Sequence, residues 1–149
     1  VDERDPETLV VRIRGGTYKA RIRHEDRIPI SHGVMGAAVR ERRTQLVNDV
    51  AADARYVQPP SGIAVQAELA VPILHTGRPL GGVNVEGDRP FTAVDVQLLE
   101  LVADALDALK MLGKVYDDEL SQLLASGAAG GAVGEPGGEM PAAVREWAE

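Results

Sequence analysis

The sequence predicts a single α+β domain in which antiparallel strands are flanked by helices. Two stretches alternate apolar and polar residues around a short turn, which is typical of β-hairpins. After Thr92 the apolar spacing changes to that of a long helix. With 149 residues, of which 44% are hydrophobic and 26% charged, the chain has the size and composition of one folded domain. The domain is expected to cover residues 1–125.

The first predicted hairpin occupies residues 8–23. Apolar side chains alternate with polar ones on both sides of Gly15-Gly16, a pair that suits a two-residue turn with positive φ angles. Pairing across this turn is self-consistent and leaves one apolar face. The expected partners are Leu9 with Ile22, Val11 with Ala20 and Ile13 with Tyr18.

A short helix, a short strand and a second hairpin follow. Ser31 is predicted to cap a helix that runs to about Arg43. Residues 45–47 are predicted to form a strand, and residues 48–62, with Pro59-Pro60, a turn region. Two runs of strand character, 68–74 and 80–86, are separated by the loop 75–79 and predict an antiparallel pair.

The last element of the domain is a helix predicted over residues 92–125. Thr92 and Asp95 have the spacing of a capping box. A helix of this length spans about 50 Å, more than a small domain needs. Its apolar residues form a heptad-like stripe, which predicts a homodimer, although the stripe could instead pack on the domain's own sheet. The stripe consists of Leu98, Val102, Ala105, Leu109, Leu112 and Tyr116.

The carboxyl end has a different composition. Residues 126–139 are rich in glycine and are predicted to be a flexible linker. Residues 140–149 have Met140, Val144 and Trp147 on one helical face, which predicts a short amphipathic helix.

Composition excludes several classes of function. The chain has no cysteine, which excludes thiolate nucleophiles, thioether-linked chromophores, zinc-thiolate sites and disulfides. A net charge of −7 and only five aromatic residues argue against binding to nucleic acid. No apolar run of membrane length and no leader are visible, so we expect a cytoplasmic protein without membrane contact. Its three histidines lack the spacing of metal ligands, and no metal or cofactor is expected.

Five blocks of sequence together resemble the GAF domain. They are residues 30–40 (ISHGVMGAAVR), 45–56 (QLVNDVAADARY), 68–73 (ELAVPI), 77–86 (GRPLGGVNVE) and 91–99 (FTAVDVQLL). The resemblance covers residues 1–112 and implies a GAF/PAS-like antiparallel sheet of about six strands flanked by helices. By the family's pattern, the first helix and strand are missing at the amino end. Either the chain is a fragment, or the helix at 140–149 takes the place of the missing one.

The resemblance implies a sensory or regulatory domain in signal transduction. Such a domain binds a small molecule and relays its state through the carboxyl-terminal helix to an effector domain or partner protein. GAF relatives that attach bilins or reduce free methionine sulfoxide use cysteine, and the signature of cyclic-nucleotide-binding members is not recognisable. We therefore expect no catalysis. The alternative is a dimerisation module without a ligand, and an enzyme is the third possibility.

The ligand site implied by the resemblance lies between the sheet and the segment 32–56. Met35 and Tyr56 would form apolar walls, and His32, Asp49 and Arg55 would orient the ligand through polar groups. Each residue also has a purely structural interpretation. Methionine is a common core filler, histidine can lie exposed in a loop, and aspartate is favoured in turns.

Overall fold

The computed structural model describes residues 1–16, 18, 22–23, 26–58 and 63–129, and the side chains of the last helix as far as residue 122. These residues confirm an α+β fold. The chain divides into two compact units, Val1–Leu112 and Gly113–Glu149. The elements are β1 (Thr8–Val10), β2 (Arg27–Pro29), α1 (Gly33–Glu41), β3 (Gln45–Val47), a 3₁₀ helix (Val50–Ala52), β4 (Ala67–His75), β5 (Arg78–Gly87) and α2 (Ala93–Ala129).

The centre of the first unit is a three-stranded antiparallel sheet in the order β3-β4-β5. Successive side chains of a strand point to opposite faces. Ala70 of β4 packs with Val34 and Ala38 of α1, whereas Leu69 and Val71 pack with Ala103 of α2. The sheet therefore lies between α1 and the first part of α2. This burial on both faces explains why β4 is almost continuously apolar.

The β4–β5 hairpin has a tighter turn than the sequence predicted. Thr76 and Gly77 have φ angles of 47° and 79°, as a two-residue type I′ turn requires. From this turn the strands pair Leu74 with Pro79, but the next pair is Ile73 with Gly81. Leu80 is left without a partner, so β5 carries a bulge.

The predicted first hairpin is wrong. Leu9 of β1 lies opposite Ile28 of β2, not Ile22, whose N–H donates to the carbonyl of Tyr18. Gly16 has a positive φ and Gly15 does not, so the Gly-Gly turn does not form. The predicted pairing of Val11 with Ala20 lies outside the described residues.

The sequence could not choose between two partners for β1, since Ile22 and Ile28 both fit its alternation. Two contacts fix the observed register. The N–H of Ile30 donates to the carbonyl of Glu7 at 2.7 Å, and Arg27 forms an ion pair with Asp2 at 2.5 Å. Within the described residues there are thus five strands in two separate antiparallel sheets, instead of about six strands in one.

Helix α1 begins and ends close to its predicted limits, but with different caps. His32, not Ser31, occupies the N-cap position, and its side chain makes no capping hydrogen bond. Arg42 ends the helix in the left-handed conformation, with φ 56°. Gly36 lets α1 approach the preceding segment, because a Cβ there would collide with the carbonyl of Ile30.

The capping box at the start of α2 is confirmed. The N–H of Thr92 donates to the Asp95 carboxylate at 2.7 Å, and the N–H of Asp95 donates to Oγ1 of Thr92 at 3.3 Å. Hydrogen bonds to the Asp95 carboxylate, first from Arg89 and then from the N–H and hydroxyl of Thr92, lower the pKa of Asp95 to about 2.

Helix α2 continues to Ala129, so its last four residues fall within the segment predicted as a linker. The rest of that segment and the predicted helix at 140–149 lie outside the described residues. Among the helices that were described, none combines the length and apolarity needed to cross a bilayer.

Asn48, in the loop after β3, forms two hydrogen bonds with Phe91, the residue before the α2 cap. Its amide nitrogen donates to the carbonyl of Phe91 at 3.1 Å, and its amide oxygen accepts from the N–H of Phe91 at 2.8 Å.

We predict that Asn48→Ala lowers the free energy of unfolding by about 1–2 kcal/mol, because each net hydrogen bond contributes about 0.5–1.5 kcal/mol. Urea denaturation measures the change. Asn48→Asp, which keeps only the acceptor, should lie between Asn48→Ala and the wild type; an unchanged midpoint for Asn48→Ala would contradict the role.

Candidate functional site

Polar side chains are concentrated on the sheet face that α1 covers. Glu68 of β4 is in register with Glu86 of β5, and Ala70 is in register with Gln45 of β3 and Asn84 of β5. Residues in register share a face, and Ala70 packs against α1. The sheet therefore presents these four polar side chains toward α1. We call Glu68 and Glu86 the glutamate pair.

The bulge at Leu80 creates the glutamate pair. If the pairing at the turn continued without a shift, Glu68 would lie opposite Val85. A one-residue slip also moves each side chain of a strand to the other face, so Glu86 would then point toward α2. The irregularity in β5 thus brings the two carboxylates to neighbouring positions on one face.

Glu68 is a buried carboxyl group in an otherwise apolar strand. Glu68 is only 4% exposed. Burial, and secondly the charge of Glu86, raise the pKa of Glu68 to about 7, while the side-chain amide of Asn84 acts in the opposite direction. Among the described residues no cation forms an ion pair with it. Glu68 therefore exchanges its proton near neutral pH, a property that often marks functional sites.

Two tyrosines border the glutamate pair. The hydroxyl of Tyr18 donates to Oε2 of Glu86, and the Asn84 amide donates to Oε1 at 3.5 Å. Burial raises the pKa of Glu86 above its usual value despite these bonds. Burial and the charges of Glu86 and Glu68 raise the pKa of Tyr56 to about 12. Both phenols remain protonated at neutral pH, since burial and Glu86 also raise the pKa of Tyr18.

Arg55 is held in place at the edge of this region. It donates to the Asp53 carboxylate at 2.6 and 3.0 Å and to the side-chain oxygen of Gln45 at 3.0 Å. The bonds from Arg55 hold the pKa of Asp53 at about 2. The guanidinium charge is therefore already paired with Asp53.

Met35 and Tyr56 supply apolar surface beside the polar groups. Met35 packs against two core clusters, one containing Val34 and the other Leu9, while Tyr56 packs against the first. A Cβ built on Gly82 of β5 would lie 2.8 Å from the sulfur of Met35. Gly82 thus leaves room for Met35 on the sheet. We call this region the α1-face site; it consists of Tyr18, Met35, Gln45, Arg55, Tyr56, Glu68, Asn84 and Glu86.

The predicted site residues fall into two groups. Met35, Arg55 and Tyr56 belong to the α1-face site. His32 and Asp49 make local contacts: the His32 ring lies 3.0 Å from Oγ of Ser31, and Asp49 caps the 3₁₀ helix by accepting from the N–H of Ala51. The part of all five residues in ligand binding stays a prediction.

Five members of the site were not predicted from the sequence. They are Tyr18, Gln45, Glu68, Asn84 and Glu86. One signal could have pointed to them, because Glu68 is a charged residue within the apolar stretch 67–74. The other four depend on the register and on loop packing, which no local pattern indicates.

A groove of about 560 Å³ opens elsewhere in the first unit. Within the described chain its lining includes none of the predicted site residues and no member of the α1-face site. Its lining residues are Arg42, Arg43, Thr44, Val71, Pro72, Leu74, Glu100, Ala103 and Asp104. The described residues also contain no group of three histidine or acidic side chains placed to hold a metal ion.

Comparison with known families decides the classification. The family model for the GAF domain matches residues 1–108. The chain belongs to the GAF domain family. A comparison with curated protein sequences gives no match.

Solved structures show the same fold. A GAF domain superposes with a TM-score of 0.60 and 24% identity, covering 72% of this chain and 58% of its own. The second GAF domain of DevS from Mycobacterium smegmatis gives 0.60 at 22% identity, covering 76% and 77%. The free methionine-R-sulfoxide reductase from Neisseria meningitidis, solved with its substrate, gives 0.50 at 28% identity, covering 55% and 49%. The chain thus spans 58% and 49% of the first and third of these structures.

The similarity to the reductases corrects one expectation. The sequence predicted a domain without catalysis, yet free methionine-R-sulfoxide reductases are enzymes with a similar fold. Membership in the GAF family therefore does not support that expectation. The 149 residues contain no cysteine, so a thiol step cannot use a residue of this sequence.

Proposed function

We propose that this GAF domain binds a small organic molecule at the α1-face site and passes the bound state through α2 to an effector domain or partner protein. The observation that carries the proposal is the buried Glu68 with its half-buried cross-strand partner Glu86, beside the apolar surface of Met35 and Tyr56. Ligand sites are mostly apolar surfaces with a few convergent polar groups. The GAF fold also supports it, since the free methionine-R-sulfoxide reductase from Neisseria meningitidis was solved in complex with its substrate.

The unfavourable free energy of burying Glu68 opposite Glu86 is a second argument for a ligand. Burying a carboxyl group without a charged partner opposes folding, and two carboxyl groups opposite each other add repulsion. Packing of β4 against α1 would be satisfied by an apolar residue at position 68. A ligand that forms polar contacts with Glu68 would explain why a glutamate, and not an apolar residue, occupies this position.

Two contacts could couple the site to α2. Asn48, at the start of the loop that contains Arg55 and Tyr56, is bonded to Phe91 just before α2. Thr44 donates to Glu100 of α2 at 2.6 Å. A ligand that favours one position of the loop would shift the population of α2 positions by its difference in affinity.

Homodimerisation through α2 is the second part of the proposal. Val96, Leu99 and Ala103 pack toward the sheet, whereas Leu98, Leu109 and Leu112 of the predicted stripe are exposed. The stripe is thus not used by the domain's own sheet. This observation also favours the alternative function, a dimerisation module without a ligand. A cytoplasmic location stays a prediction from the sequence.

A ligand screen tests the proposal. We expect a member of a screen of amino acids, amines, nucleobases, cyclic nucleotides and nitrate to raise the thermal midpoint. At 100 times its dissociation constant, a ligand adds about 2.7 kcal/mol to the free energy of unfolding. Differential scanning fluorimetry measures the shift.

Two variants locate the binding. Tyr56→Ala should abolish the shift, because it removes an apolar wall of the site, whereas Tyr56→Phe keeps that wall and should retain most of it. A screen without any hit would favour the dimerisation module, and a hit equally strong in Tyr56→Ala would place the ligand elsewhere.

A further inference from the structure

We infer that the ligand of the α1-face site carries a positively charged nitrogen, an ammonium or guanidinium group, which lies between the carboxylates of Glu68 and Glu86. This inference rests on the proposed function and names the chemical class of its ligand. It requires a small organic molecule with an apolar part beside the cation.

The position of the glutamate pair provides the cation's contacts. Glu68 and Glu86 are direct cross-strand partners. Side chains at such positions have Cβ atoms about 4.5–5.5 Å apart, so one N–H donor group can reach both carboxylates. Charge-assisted hydrogen bonds of this kind are the strong ones.

The described part of the chain supplies no cation for this purpose. Arg55 is paired with Asp53 and bonded to Gln45. The groups next to the pair, the Asn84 amide and the Tyr18 hydroxyl, are neutral donors. Among the described residues, the hydrogen-bonding neighbours of the pair are neutral, and the Arg55 charge that acts on Glu68 is already paired with Asp53. A ligand cation would give this 4% exposed glutamate a direct ionic partner.

The surrounding groups favour the same class of ligand. Tyr56 lies close enough for the charges of both glutamates to act on its hydroxyl, and an aromatic ring attracts cations through its face. A carboxylate or phosphate would meet two like charges. Met35 offers surface to an alkyl group attached to the nitrogen.

The test compares three matched sets of fragments: primary amines, alcohols and carboxylic acids with the same alkyl groups, n-butylamine among them. Binding is followed at pH 8 through the backbone amide signals of ¹⁵N-labelled protein. We expect the amines to shift signals near Ala70, Gly82 and Tyr56, and to bind at least tenfold more weakly to Glu68→Gln. The matched control Glu3→Gln, at an exposed position, should bind like the wild type.

A second experiment measures the protons released when the amine binds. Calorimetry in two buffers of different ionisation enthalpy should show proton release when n-butylamine binds to the wild type at pH 6.5, and less release for Glu68→Gln. Alcohols or acids that bind the same residues as tightly as amines would overturn the inference and leave the proposed function standing. A lack of binding by all three sets would overturn both, and amine binding unaffected by Glu68→Gln would overturn the role of the pair.

Discussion

Glu68→Gln should make the domain more stable than the wild type at pH 8, by about 3 kcal/mol. The pKa of Glu68 is raised from 4.5 to about 7, chiefly by burial. One pKa unit corresponds to about 1.4 kcal/mol, so ionising this group in the folded state costs about 3 kcal/mol. Glutamine has nearly the same shape and avoids that cost at every pH.

The raised pKa of Glu68 also determines how its contribution to stability changes with pH. Between pH 4.5 and 7 the folded chain holds a proton that the unfolded chain has released. The contribution of Glu68 to the stability of the wild type is therefore greatest below pH 4.5 and is lost as the pH rises through 7. The raised pKa of Glu86 acts in the same direction.

Chemical denaturation from pH 4 to pH 8 checks this prediction. The curves of Glu68→Gln and the wild type should converge at pH 4 and separate as the pH rises. The exposed Glu3→Gln serves as the matched control and should follow the wild type throughout. Equal stability of Glu68→Gln and the wild type at pH 8 would show that Glu68 is not a destabilising buried acid.

Replacing Leu109 and Leu112 together by glutamate should convert a homodimer into a folded monomer. Both leucines are exposed, at 63% and 54%, and neither belongs to a core cluster of the described domain. Surface changes of this kind alter stability by only about 0.5 kcal/mol. In a dimer interface, two buried carboxylates would weaken association by several kcal/mol, or at least a hundredfold.

Sedimentation equilibrium in the micromolar range measures the change. Lys114→Glu alters the net charge by the same two units as the double replacement and should remain dimeric. Lys114 is also exposed on α2, but it does not belong to the stripe. A wild type that is already monomeric at high micromolar concentration would contradict the proposed homodimer.

The sequence predicted those elements whose signals are local. The strand at 45–47 is confirmed with its limits, and the spacing of Thr92 and Asp95 correctly predicted the start of α2. Each depends on residues a few positions apart. The partner of β1 was mispredicted because Ile22 and Ile28 offer equivalent apolar positions, and the choice depends on contacts of Arg27 and Ile30 with the chain's first residues.

The functional site was less predictable for the same reason. Met35, Arg55 and Tyr56 lie in blocks that resemble the GAF family, and they were proposed on that basis. The glutamate pair depends on the bulge at Leu80, which changes the register by one residue. No local pattern in β5 distinguishes this register from the unshifted one, so the pairing became visible only in the folded chain.

A crystal structure of the domain with the compound that gives the largest thermal shift locates the ligand. We expect the compound between α1 and the β3-β4-β5 sheet, with a charged nitrogen between Glu68 and Glu86 and its apolar part against Met35 and Tyr56. A compound bound elsewhere, or a site filled by the protein's own side chains, would contradict the proposed ligand site.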